Sequence, residues 1–183
     1  MTWEISGWKP DWQSNTAALL SQRRERLRSL RGHRIDATWL VWINDLDEWF
    51  ADLPVVLQIG ERQLEVCNQK FDDLSITWNT IDVHITPIAW VDWSLTWRRD
   101  AHPALSRAVG QTIREVHISE HLFTTSRVHP PDPLQQHDTA AWLLGGLVLE
   151  LDNGYLHVFN ALDENGLSDE PPQSGPSNKM ITV

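Results

Sequence analysis

Apolar and polar residues alternate with period two along most of this chain. In "VDWSLTWR", Val91, Trp93, Leu95 and Trp97 fall on one side, and Asp92, Ser94, Thr96 and Arg98 on the other. That is the repeat of an extended strand, and it outweighs the helical spacing of Trp90, Trp93 and Trp97. "PVVLQIGERQLEVC" predicts a hairpin about Gly60, with Val55, Leu57 and Ile59 on the same face as Leu64 and Val66. "RIDATWLVWI" is apolar on both faces from Trp39 to Ile43, as a central strand requires. "SITWN" and "TIDVHIT" alternate in opposite phase, which predicts two strands broken by a bulge or turn at Asn79–Thr80. "TIREVHISEHLF", "AWLLGGLVLEL" and "YLHVF" complete a set of about eight strands.

Helical signals are fewer. "SNTAALLSQRRERLRSLRG" carries a capping Ser14 or Asn15, a terminating Gly32 and a stripe of Leu20, Leu27 and Leu30, predicting an amphipathic helix over about residues 15–31. "DLDEWFAD" has capping-box spacing at Asp45 and Glu48 and predicts a helical turn. "HPALSRAVG" reads as a short helix or loop. The expected class is α+β, mainly antiparallel, sandwich- or barrel-like, with strands from residue 33 onward in a single domain over 1–167. Residues 168–183 lack apolar periodicity and are expected to form a disordered tail, and no internal repeat is evident.

Composition narrows the partners. The 183 residues hold 15 basic and 25 acidic side chains, a net charge of −10, which argues against nucleic acid or an anionic membrane as the main partner. The charge is uneven: residues 1–34 hold seven basic against three acidic groups. That basic segment is expected either to sit as a solvated helix face or to dock on the acidic remainder. The lone Cys67 rules out an internal disulfide. With no apolar run of membrane-spanning length and no basic, apolar leader, a reducing, cytoplasmic setting is the simplest expectation. No Gly-rich phosphate loop follows a strand, so no nucleotide fold and no cofactor are expected.

Two stretches invite a chemical reading. "LELDNGYLHVFNALDENG" gathers Glu150, Asp152, His157, Asp163 and Glu164. Asn153–Gly154 suits a type I′ turn, which would set Glu150 opposite His157, and Asn160 could cap one helical turn carrying Asp163 and Glu164. A calcium loop fails because Ala161 and Pro172 stand where acids are required. His117-Ile-Ser-Glu120-His121 matches the H-x-x-E-H pattern of zinc peptidases. Its mechanism needs a helix, whereas Val116, Ile118 and Leu122 alternate as on a strand, which would hold His117 and His121 about 13 Å apart.

Three functions of different classes follow. The first is a non-catalytic, immunity- or inhibitor-type protein that covers a basic partner with Asp45, Asp47, Glu48, Asp52, Asp163 and Glu164. The second is a ligand-binding β domain using Trp3, Trp8 and Trp12, among eleven tryptophans, as stacking platforms for a carbohydrate. The third is a zinc-dependent hydrolase through His117, Glu120 and His121.

Overall fold

The computed structural model describes residues 5–88, 93–125, 139–173 and 175–183. Among them, twelve strands and two helices follow one another as β1 (Trp12–Gln13), α1 (Thr16–Arg28), β2 (Ala37–Ile43), β3 (Glu48–Trp49), β4 (Val55–Ile59), β5 (Arg62–Gln69), β6 (Asp73–Trp78), β7 (Leu95–Arg99), α2 (Pro103–Ala108), β8 (Ile113–Thr125), β9 (Thr139–Leu151), β10 (Gly154–Asn160), β11 (Asn165–Ser168) and β12 (Asn178–Thr182). The strands form two antiparallel sheets and no closed barrel: β1-β6-β5-β4-β2-β3 with β7 also on β2, and β11-β10-β9-β8-β12. No helix in the described residues is long and apolar enough to cross a membrane.

Helix α1 starts where the sequence suggests, with Asn15 Oδ1 accepting from the Ala18 N–H at 3.0 Å, a cap worth about 1 kcal/mol. It ends at Arg28, short of the expected boundary, although Leu20, Leu27 and Leu30 are all buried as anticipated. Some of the basic side chains dock on the body: Arg23 Nε donates to Ile76 O at 2.9 Å, Arg26 lies 4.3 Å over the Trp78 ring, and Arg31 donates to Val183 O at 2.6 Å and pairs with Glu115. The second helix, α2, is the short element of "HPALSRAVG", so the chain is not a one-helix protein.

The two sheets share one core. Val55, Leu57, Ile59, Leu64 and Val66 from the first sheet and Val116, Ile118, Leu149, Leu156 and Val158 from the second are all 1% exposed or less and belong to one buried cluster. A second cluster lies on the far side of the first sheet, where Val41, Ile43, Val56 and Leu95 pack with Ile5, Phe50, Leu53 and Ile81. Trp93 and Trp97 join it, as their alternation with Leu95 predicts, while Trp90, Val91 and Asp92 lie outside the described residues.

An internal repeat, not apparent in the sequence, emerges from the register. Leu57 faces Leu64 across the β4–β5 hairpin as Leu149 faces Leu156 across β9–β10. Thr38 faces Leu57 as Val116 faces Leu149, and Trp39 faces Arg99 as His117 faces Thr182. Apart from the two-residue strands β1 and β3, which have no counterpart, each half is a helix followed by five strands in the same order, β6-β5-β4-β2-β7 and β11-β10-β9-β8-β12. The similarity is hidden because side chains on the two outer faces differ in polarity while only the shared core keeps its leucines and valines.

Several sequence expectations are corrected. Residues 178–182 are not a tail: β12 pairs along β8, and Val183 is 1% exposed with its N–H on Val116 O at 2.9 Å. This edge strand has no periodicity of its own because its partner supplies the pairing. "TIDVHIT" is not a strand but a crossover whose backbone folds over the first sheet, although Asn79 (φ 58°) does make the turn expected there. "DLDEWFAD" is a turn leading into β3 rather than a helical turn, since Asp45 accepts from the Ser94 N–H at 2.9 Å instead of capping its own segment. The last hairpin places Glu150 opposite Tyr155, and His157 opposite Val148. Only Gly154 (φ 100°), not Asn153, has positive φ, so the turn is not type I′ and the register moves by two. A two-residue shift preserves the faces, and Leu149, Leu151, Leu156 and Val158 remain in the core. "NALDENG" links β10 to β11 as a hairpin loop rather than a helical turn.

Candidate functional site

Two adjacent loops from the two halves meet at one end of the molecule. The β5–β6 loop and the β10–β11 loop are joined by reciprocal hydrogen bonds: the Lys70 N–H donates to the Asp163 carboxylate, and the Asp163 N–H donates to Lys70 O at 3.1 Å. Asn160 Oδ1 accepts from that same Asp163 N–H at 3.2 Å, and Asn160 Nδ2 donates to Lys70 O at 2.9 Å. These bonds hold Leu162 (φ 65°) and Asp163 (φ 81°) in the left-handed region, which costs each of them about 1–2 kcal/mol. The product is a projecting tip: Leu162 is 82% exposed and Phe71, on the neighbouring loop, 64%.

Carboxylates surround this tip. Asp52, from the segment preceding β4, lies close enough to Asp163 and Glu164 that its pKa is raised, first by burial and then by repulsion from Glu164 and Asp163. Three of the six acidic groups expected to form a partner surface are therefore brought together. The other three are not: Asp45 accepts from Ser94, Asp47 takes the Trp42 indole N–H at 3.0 Å and an ion pair with Arg98 at 2.8 Å, and Glu48 sits in the two-residue β3. Asp45 and Asp47 fold the turn after β2, so their charges are partly spent on internal partners.

Asn165 anchors the loop. It is 2% exposed, its Nδ2 donates to Ala51 O at 2.7 Å and Leu53 O at 2.9 Å, and its Oδ1 accepts from the Asn68 N–H at 2.7 Å. This buried amide fixes the Asp52 segment against the Asp163–Glu164 loop. Cys67 lies beside it, 1% exposed, with its thiol pushed up to about 12 by burial, which disfavours the nucleophilic thiolate.

Behind the tip, on the outer face of the second sheet, runs a groove of about 290 Å³ bordered by Leu162, Phe159, Pro172 and Asn178. Its floor holds Ser119 and His157, 4% and 8% exposed, with Ser119 Oγ 3.2 Å from His157 Nε2. Burial pushes the His157 pKa down to about 4, which leaves the ring neutral at pH 7. Gly145 allows this arrangement, because a Cβ there would stand 3.0 Å from Ser119 Oγ. In the register of the two sheets, His157 occupies the place that Glu65 holds in the first half.

The H-x-x-E-H residues lie along β8, a strand, with His117 and His121 on one face and Glu120 on the other. His117 Nδ1 bonds to Thr182 Oγ1 at 3.1 Å and its Nε2 faces Glu150 Oε2 at 3.6 Å, while His121 stands opposite Asn178. Among the described residues, no group of three His, Cys, Asp or Glu side chains is placed to hold a metal ion. The expected tryptophan platforms also disperse. Trp8 packs against the second apolar cluster and meets Trp12 edge-on at 6.2 Å, Trp12 is half-buried on β1, and Trp3 lies outside the described residues.

Sequence reasoning missed Leu162, Phe71, Asn165 and the Ser119–His157 pair. A leucine preceding two acids carries no special pattern, and the other contacts join residues far apart in the chain. Neither a family model, nor a curated protein, nor a solved structure matches this chain.

Proposed function

We propose that this chain is a non-catalytic interaction protein that covers a basic partner, in the manner of an inhibitor or immunity protein. The single observation that carries the reading is the tip formed by Leu162 and Phe71 among Asp52, Asp163 and Glu164. An apolar anchor exposed at 82%, held in strained backbone beside Asp163 and Glu164, whose repulsion helps raise the pKa of Asp52, is costly for a free protein. A cationic partner relieves that repulsion and buries the anchor, and the net charge of −10 draws it in over a longer range.

The test is to capture partners from the native host with the wild-type chain and with Asp163→Asn/Glu164→Gln. The captured protein is expected to be basic, its association rate should fall steeply between low and high salt, and the double substitution should slow association at low salt. A partner that is acidic, or a rate indifferent to salt and to the substitutions, overturns the reading.

A further inference from the structure

The internal repeat makes the groove informative. In the first half, the outer face is filled: Val41, Ile43 and Leu95 are covered by Ile5 and Ile81, all of them 6% exposed or less. Ile5 belongs to a short segment that precedes the repeat, turning through a Trp8 N–H to Ile5 O bond of 3.1 Å, with Gly7 pressed against the Thr80 carbonyl. Beneath this cover, Glu65 accepts from the backbone N–H groups of Thr80 at 2.6 Å and Ile81 at 2.9 Å. The corresponding positions in the second half are Ser119, His121 and Asn178, with His157 in the place of Glu65. There the groove stands where the first half has its plug.

Polarity and charge describe what would fill it. The floor offers hydroxyl, imidazole and amide groups suited to peptide N–H and C=O, in place of the leucine and valine that greet an apolar plug. The neutral His157 ring adds no positive charge to repel a cation. At one end the groove is bounded by Leu162, adjacent to Asp163 and Glu164, so it is continuous with the acidic tip. We propose that the groove receives a short segment of the basic partner, its backbone against Ser119 and Asn178 and its cationic side chains across the Asp163–Glu164 loop. The inference rests on the acidic-surface reading and names the contact that reading lacks.

The test uses the full chain, labelled with ¹⁵N, and a defined probe, an acetylated and amidated Arg-Gly-Arg peptide, with Glu-Gly-Glu as control. Saturable amide shifts are expected at Ser119, Gly145, Phe159 and Asn178 as well as at residues 162–164. Asn178→Phe, which fills the groove from its β12 wall, should weaken binding at least tenfold and remove the groove shifts while those of the loop remain. Asn178→Leu, which copies the Leu95 of the first half, provides a second variant should the larger side chain disturb β12. Shifts confined to residues 162–164 and Asp52 overturn the groove proposal and leave the acidic surface standing. No shifts with either peptide, or equal shifts with both, overturn the two together.

Discussion

Glu65 offers the sharpest test of how the first half is closed. Its carboxylate is 1% exposed and accepts five hydrogen bonds: Oε1 from Gln63 Nε2 (2.9 Å), Thr80 N (2.6 Å) and Ile81 N (2.9 Å), and Oε2 from the hydroxyls of Thr77 and Thr80 (2.6 Å each). In Glu65→Leu the two hydroxyls can rotate to new partners, but the two backbone N–H groups cannot. Each buried donor left without an acceptor costs about 1–3 kcal/mol, so the pair costs roughly 2–6. Burying the new leucine returns up to about 2 kcal/mol, so from the middle of that range, about 4, a net destabilisation of about 2 kcal/mol or more remains. Glu65→Gln differs in kind. Its oxygen can occupy the Oε1 position and its NH₂ can donate to the two hydroxyls, so that only the charge assistance is lost, about 1 kcal/mol. Urea unfolding measures both, and at a slope of about 1–3 kcal/mol/M the leucine variant should unfold at a midpoint lower by about 1 M or more. Equal costs for the two substitutions, or a cost below about 1 kcal/mol for leucine, would refute the claim that this carboxylate pins the crossover.

Other outcomes follow from the same structure. His157 has a folded pKa of about 4 against 6.5 for the free side chain, so the unfolded chain binds the extra proton first. Stability present above pH 6.5 is then lost as pH falls toward 4, by at most about 3 kcal/mol, and His157→Gln should flatten the thermal midpoint over that window. A wild-type midpoint indifferent to pH between 7 and 4.5 would contradict the burial of this ring. Asp52 is the opposite case: its raised pKa means that ionisation opposes folding at neutral pH, so Asp52→Asn should raise the midpoint at pH 7 but not at pH 3. Asn165→Ala removes the acceptor of the Asn68 N–H and the donor to Ala51 and Leu53, and should cost about 3 kcal/mol or more in urea unfolding. Cys67 should stay unreactive toward an aromatic disulfide reagent until denaturant unfolds the chain.

The predominance of antiparallel strands could be read from the chain because alternation is a local property. Val55, Leu57 and Ile59 against Leu64 and Val66, and the phase of Trp93, Leu95 and Trp97, need only neighbours in sequence to declare their faces. The strand character of His117–His121, and hence the lack of the helix a zinc motif needs, was legible for the same reason. The exposure of Asp163 and Glu164 was legible as well, since adjacent acids before Asn165–Gly166 mark a turn.

What tertiary structure alone decided is every feature that depends on a distant partner. β12 is a strand because β8 offers a free edge, and "TIDVHIT" is not one because Glu65 draws the Thr80 and Ile81 amides over the sheet. Asp52 joins Asp163 and Glu164 through the buried Asn165, and Ser119 meets His157 only once β8, β9 and β10 are in register. Side-chain periodicity tells each segment which way to face, whereas the identity of the facing surface is set by long-range pairing and by buried polar groups that must find their partners. That is why the two halves, alike in strand order, present one filled apolar face and one polar groove.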